Sequence, residues 1–260
     1  MVNSFKSSVV LAYLRYLKWK FFPSQAQLAD KKYHLSRLQF YSQFLRAGDL
    51  CFDVGANFGN RTEIFLKLNA DVVAIEPQPA CYKMLNVKFG NKITIIKKAL
   101  GAKVSEGIMH LSNSYELSSL SDSWINAVSN TRFKETKWEG DLKIQIDTLD
   151  NLISRFGVPK FCKIDVEGYE EEVLLGLSKR IPFISFEYTV PERLNSVRNC
   201  FNQLEKIGKF ECNFTVGESM ELKLDSWTSS IKVLDILNQM NDDNYFGDIY
   251  VRFEQPAELN

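Results

Sequence analysis

From Leu50 onward, the apolar positions gather into compact runs separated by stretches in which they recur every three or four residues. The runs at 50–54, 71–76, 93–97, 161–165, 183–187, 210–214 and 248–253 predict strands, and the stretches at 60–68, 79–89, 169–178 and 197–207 predict helices. Strands alternating with helices form parallel βαβ units. Seven of them predict an α/β, Rossmann-like fold: a mostly parallel seven-stranded sheet with helices on both faces, closed by a C-terminal hairpin.

Residues 1–46 follow another rhythm. Val9, Val10, Tyr13, Leu14 and Leu17 recur at helical spacing, Pro23 and Ser24 interrupt, and Leu28, Leu35, Leu38 and Phe44 resume. The chain therefore divides into an N-terminal helical extension or cap, 1–46, and an α/β domain, 47–260. Within that domain, 99–149 reads as an insertion or substrate-loop region. It holds short strand candidates at 107–111 and 142–146 and a Ser/Asn-rich stretch at 112–123.

Lys plus Arg and Asp plus Glu number 32 each, and this balance disfavours a nucleic-acid partner recruited by a basic field. The five cysteines, Cys51, Cys81, Cys162, Cys200 and Cys212, form no CxxC pair, and three lie in apolar runs. Buried free thiols are expected. With only His34 and His110 as imidazoles, no zinc site is expected. The apolar run at 9–14 is short and is followed by Arg15, Lys18 and Lys20, and no stretch is long enough to span a membrane. A cytoplasmic location is expected. The first helix mixes Lys6, Arg15, Lys18 and Lys20 with Phe5, Tyr13, Tyr16, Trp19, Phe21 and Phe22. That mixture suits peripheral membrane contact, although packing as a cap or dimer contact is preferred. Oligomeric state has no signature.

Candidate chemistry lies at the strand ends. The first strand runs into Asp53-Val54-Gly55-Ala56-Asn57-Phe58-Gly59 and a helix. Glycine admits close backbone approach, and a helix start offers free amides to a carboxylate. Asp53 is placed to meet an ammonium group. The second strand ends in Glu76, 21 residues after Gly55, a spacing suited to ribose hydroxyls. Loop and acid point to an adenosine cofactor. The absence of GxGxxG favours S-adenosylmethionine over a dinucleotide. Strand alternation sets Lys163 and Asp165 on one face, with Asp165 at the strand end. Glu167 reads as a pocket residue or a helix cap, and Glu170, Glu171 and Glu172 as a solvated helix start.

DVGANFG, AIEPQP, Ala99-Leu100-Gly101, Thr148-Leu149-Asp150 and KIDVEGYEEEVLLG occur in this order. Together they resemble the FkbM family of class I S-adenosylmethionine-dependent methyltransferases over about 50–253. The resemblance implies methyl transfer, usually to a hydroxyl oxygen of a glycan or secondary metabolite. It implies cofactor roles for Asp53, Gly55, Asn57, Gly59, Glu76, Pro77, Ala99, Leu100 and Asp165, and it matches Glu187 to an acidic position near the pocket. Candidate bases for the acceptor proton are Asp165, Glu187 and His110, in that order. A divalent metal shared by Asp165 and Glu187 is the less favoured alternative. Ser118, Ser119 and Ser121 are candidate hydrogen-bonding groups, and Tyr115, Trp124 and Trp138 are candidate sugar-stacking groups. The competing readings are an NAD-linked oxidoreductase and a non-catalytic Rossmann-like binding module.

Overall fold

The computed structural model describes residues 34–240 and 245–254. The basic-aromatic first helix, and with it the membrane contact, lies outside the described residues. The described part of the N-terminal extension forms helix α1 (His34–Tyr41). Its packed stripe runs through Arg37, Phe40 and Tyr41 to Phe44, and Phe44 stacks on Phe161 at 5.4 Å and on Tyr250 at 5.3 Å. Leu35 was expected among the apolar positions but is 77% exposed. It lies two residues from Arg37, about 200° around the helix from that stripe.

The main sheet is built from β1 (Leu50–Val54), β2 (Asp71–Ile75), β3 (Thr94–Ile96), β7 (Phe161–Ile164), β8 (Phe183–Val190), β9 (Phe210–Phe214) and β10 (Tyr245–Phe253), in the order β3-β2-β1-β7-β8-β10-β9. All seven expected strands are present. The pairings from β3 through β8 are parallel, and β10 runs antiparallel between β8 and β9. Successive side chains alternate between faces. Cys51, Val72, Phe161 and Tyr250 join the aromatic cluster under α1 and α2 (Asn60–Lys67). Phe52, Val54, Val73, Cys162 and Ile164 pack on the opposite face against α5 (Leu149–Phe156), α6 (Glu170–Leu175) and α7 (Leu194–Ile207). Burial on both faces is why these strands read as unbroken apolar runs. Helix α3 (Pro79–Phe89) connects β2 to β3. All five cysteines are free and buried. Among the described residues, no helix is long and apolar enough to cross a membrane.

Residues 99–147 form a separate three-stranded sheet, β4 (Ala99–Leu100), β6 (Trp138–Asp147) and β5 (Ser105–Ser112) in that order, with β5 and β6 antiparallel. The short strand candidates lie inside β5 and β6. Helix α4 (Asp122–Ser129) arises at the end of the Ser-rich stretch because the Ser121 hydroxyl caps it, accepting from the Trp124 amide. Trp124 is 1% exposed. It packs against Gly168, where a β-carbon would fall 2.2 Å from the indole. The insertion is thus pinned to the turn after β7. Helices α5 and α8 (Ser230–Gln239), absent from the sequence expectations, are capped by Thr148 and Ser229.

The chain steps from β1 to β2 and β3 on one side, then returns to β7 on the other side of β1. Connections leaving β1 and β7 diverge at this switch point, which opens a crevice at the carboxyl ends of the strands.

Candidate functional site

The crevice contains two adjoining cavities. The first has about 480 Å³ of empty space, counting its open mouth, and lies between the ends of β1 and β2 and the small sheet. Gly55, Asn57, Glu76, Pro77, Ala99, Leu100 and Asp165, all named in the sequence analysis, line it. Ile75, Met109 and Val166 add apolar surface. The second cavity is more polar and more open, with about 860 Å³ of empty space. Asp53, Lys163, Asp165, Glu167 and Glu187 face it from the strand ends, and Arg37, Arg61 and Glu218 from the other elements. Gly55, Asn57, Glu116, Asp165 and Glu167 border both.

Gly55 has φ +80°, and a β-carbon there would lie 1.8 Å from the carbonyl oxygen of Asp165. No other residue lets the β1 loop come this close to the β7 loop. The Gly55 and Ala56 amides donate to the Ile75 carbonyl, at 3.0 and 3.1 Å. Gly59 caps α2 in a left-handed conformation and lines neither of the two cavities.

Glu76 is 2% exposed. Its Oε2 accepts the Asn57 amide at 2.8 Å and its Oε1 the Gln78 amide at 2.7 Å. Burial pushes its carboxyl up to about 7, and the two amides pull the other way. Each oxygen retains a lone pair for a ligand hydroxyl. Gln78, which the sequence did not single out, is 5% exposed; its side-chain nitrogen donates to the Tyr115 carbonyl at 3.0 Å, and its Oε1 has no partner among the described residues. A buried, unpartnered acceptor beside an apolar slot and a fixed acid fits an adenosine, which brings hydroxyl and amino donors on an apolar ring. Tyr115 closes the same slot, edge-on to Phe58 at 5.5 Å.

Asp53 is 2% exposed and lies in the second cavity, where the Thr62 hydroxyl donates to its Oδ2 at 2.5 Å. Burial raises its pKa, with Thr62 and Lys163 opposing. Asp53 pairs in register with Lys163, which is 1% exposed. The Lys163 ammonium donates to Asp165 at 2.8 Å and lies 3.5 Å from Asp248. Burial disfavours that ammonium, but the two carboxylates outweigh it and raise its pKa well above the ordinary value. Asp165, Glu167 and Glu187 bring carboxylate oxygens within 4.8 Å of one another. Burial first, and then neighbouring carboxylates, push Glu167 and Glu187 well above the usual range. Three such oxygens suit a hard cation in type and number.

Other candidates fall elsewhere. His110 lies outside both cavities, with Nδ1 2.8 Å from Asp141 and Nε2 2.9 Å from Asp122. Glu187 sits within β8 instead of at its end. Glu170 was read as solvated but is 7% exposed, and its Oε1 accepts the Val166 and Gly168 amides at 3.2 and 3.1 Å. It braces the turn that carries Glu167. Ser118 reaches the first cavity, whereas Ser119 donates to the Glu167 carbonyl at 2.6 Å. Trp138 donates to the Leu117 carbonyl at 2.7 Å and, like Trp124, is a packing residue.

The sheet order, the glycine turn at the switch point and the acid-flanked slot are those of a class I S-adenosylmethionine-dependent methyltransferase. More narrowly, the chain belongs to the FkbM family, whose model, described as the methyltransferase FkbM domain, matches residues 53–224. It is 30% identical over 141 residues to the hexuronic acid methyltransferase AglP of Haloferax volcanii, an alignment covering 53% of this chain and 54% of that protein. The chain thus spans about half the length of that relative. Among solved structures, it is similar to precorrin-6Y C5,15-methyltransferase of Geobacter metallireducens (12% identity, 83% of this chain and 87% of that chain, TM-score 0.42). It is also similar to an S-adenosylmethionine-dependent methyltransferase of Archaeoglobus fulgidus (15% identity, 92% and 99%, TM-score 0.41).

Proposed function

We propose that the protein methylates a hydroxyl oxygen of a sugar within a glycan or a secondary-metabolite intermediate, with S-adenosylmethionine as donor. The observation that carries this reading is Asp165, which borders both cavities, the adenosine slot on one side and the polar cleft on the other. A group at that boundary meets the donor and the acceptor. The similarity to a hexuronic acid methyltransferase supports a sugar acceptor.

S-adenosylmethionine supplies an electrophilic sulfonium methyl. Much of the remaining work is alignment and exclusion of water. In this reading Glu76 and Gln78 hold the adenosine, and Pro77, Ala99 and Leu100 flank it. Asn57 keeps Glu76 in place, and Asp53 meets the cofactor's ammonium group. Gly59 acts at one remove, by setting the start of α2. Asp165 receives the acceptor hydroxyl and its proton, while Lys163 holds one of its oxygens and leaves the other free. Glu187 sits close enough to take the proton onward. The Lys163 ammonium already supplies a positive charge at this cluster, so we assign the three carboxylates to proton handling and not to a metal.

Calorimetry with S-adenosylhomocysteine, followed by mass spectrometry of sugar acceptors incubated with S-adenosylmethionine, tests the reading. Wild type should bind S-adenosylhomocysteine and methylate a sugar. Asp165→Asn should keep that binding within about threefold and lose at least about a hundredfold in turnover. Full turnover in Asp165→Asn, or loss of transfer after chelation of divalent ions, would refute the assignment.

A further inference from the structure

Three residues that share the polar cavity with the acids have no part in this mechanism. Arg37 comes from α1, before the span matched by the family model; Arg61 comes from the first turn of α2, and Glu218 from the segment after β9. All three line the polar cavity and none lines the adenosine slot. One oxygen of Glu218 accepts from both guanidinium groups, from Arg37 at 3.1 Å and from Arg61 at a shorter distance. The arginine side chains are only 8% and 12% exposed, and Arg61 Nε makes no hydrogen bond among the described residues. Burial opposes ionisation of Glu218, but the arginines overcome it and hold its carboxyl at about 2. A guanidinium offers five donors in a planar fork that matches an oxyanion. Glu218 engages Arg61 at NH2, the Arg61 side chain lines the cavity, and its Nε is buried without a hydrogen-bond partner among the described residues.

Resting on the methyl-transfer reading above, we propose that Arg61, held with Arg37 by Glu218, binds an anionic group of the acceptor, a carboxylate or a phosphate. The cavity is then polar in a directed sense. Its arginines take the anion, and Asp165 takes the hydroxyl. An acidic sugar enters in one orientation, anion toward α2 and a hydroxyl toward Asp165.

The test is calorimetry on the full chain saturated with S-adenosylhomocysteine, titrated with D-glucuronate, D-glucose 6-phosphate and D-glucose. One of the two anions should bind at least about tenfold tighter than glucose, and which one it is separates carboxylate from phosphate. Arg61→Gln should remove that preference and Arg61→Lys should restore part of it. The S-adenosylhomocysteine affinity should stay near wild type in both variants, and both should remain folded at the assay temperature. The proposal is overturned if glucose binds as well as both anions, or if none of the three binds. It is also overturned if Arg61→Gln weakens S-adenosylhomocysteine equally, since the pair then serves the cofactor's own carboxylate. Failure of wild type to bind S-adenosylhomocysteine would instead overturn the methyl-donor reading, and this inference with it.

Discussion

Replacing Lys163 with methionine keeps most of the unbranched apolar stem and removes the terminal ammonium, with its charge and its donors. In the native protein that ammonium sits 2.8 Å from Asp165 and 3.5 Å from Asp248 at 1% exposure. The two acids respond differently to its loss. The Asp165 side chain is 37% exposed and can recruit water, whereas that of Asp248 is 11% exposed and keeps, among the described residues, the Tyr250 hydroxyl at 3.2 Å and the attraction of Arg61. Breaking a buried ion pair by removing one partner costs about 3–5 kcal/mol, and most of it should fall on Asp248. The pH dependence follows. Burial raises the Asp248 pKa in the native state and Lys163 lowers it, so without Lys163 it rises further. The variant's deficit should therefore be small at low pH, where Asp248 is protonated in both folded and unfolded chains, and should grow as pH rises through its native pKa. Urea unfolding at pH 5 and pH 8 measures this. At pH 8, Lys163→Met should lose about 3–5 kcal/mol, or roughly 6–20 °C of melting temperature for a chain of this size. Adding Asp248→Asn should recover more of that than adding Asp165→Asn. A Lys163→Met protein within about 1 kcal/mol of wild type at pH 8 would refute the reasoning, as would a larger recovery from Asp165→Asn.

Two further outcomes follow from the site. The Glu76 carboxyl is raised from 4.5 to about 7, so the folded state holds a proton that the unfolded state releases, and its stability contribution declines as pH rises through that window. Between pH 5 and pH 8, wild type should lose up to about 3 kcal/mol more than Glu76→Gln; parallel pH profiles in urea unfolding would contradict this. His110 is paired with Asp122 and Asp141 outside both cavities. His110→Gln should leave kcat/KM within about twofold, whereas a fall of about a hundredfold, the scale of a lost general base, would return it to the mechanism.

The seven sheet strands were legible because each is a short apolar run between helical periods, and the glycine turn, Glu76 and Asp165 were legible because each ends a strand. Helices α5 and α8 left a weaker trace. Their buried positions, Leu149, Leu152 and Ile153 in one and Val233, Leu234 and Leu237 in the other, are at helical spacing behind a Thr or Ser cap. Each is short, eight residues in one and ten in the other, so few helical periods mark it. Glu170 was misplaced for a related reason. In a run of three glutamates, only the turn geometry distinguishes the one folded inward. The wall of Arg37, Arg61 and Glu218 leaves no trace in spacing, because its members come from three segments that meet only in the folded chain. Gln78 is adjacent to a predicted site and was passed over because its unpartnered oxygen becomes visible only once the Tyr115 carbonyl takes its nitrogen.

The contact between Gly55 and the Asp165 carbonyl also bears on how this enzyme can change. With no room for even a methyl group between them, the loop assigned above to the donor and the residue assigned to the acceptor are held in direct contact. A substitution that re-tilts either loop disturbs both halves of the reaction together, so new acceptors are hard to reach from there. The opposite wall is under no such constraint. Its members Arg37 and Glu218 come from α1 and the segment after β9, outside the glycine turn and α2, and these can be remodelled while the donor loop stays as it is. Diversification of substrate within this architecture should accumulate on that side of the cleft.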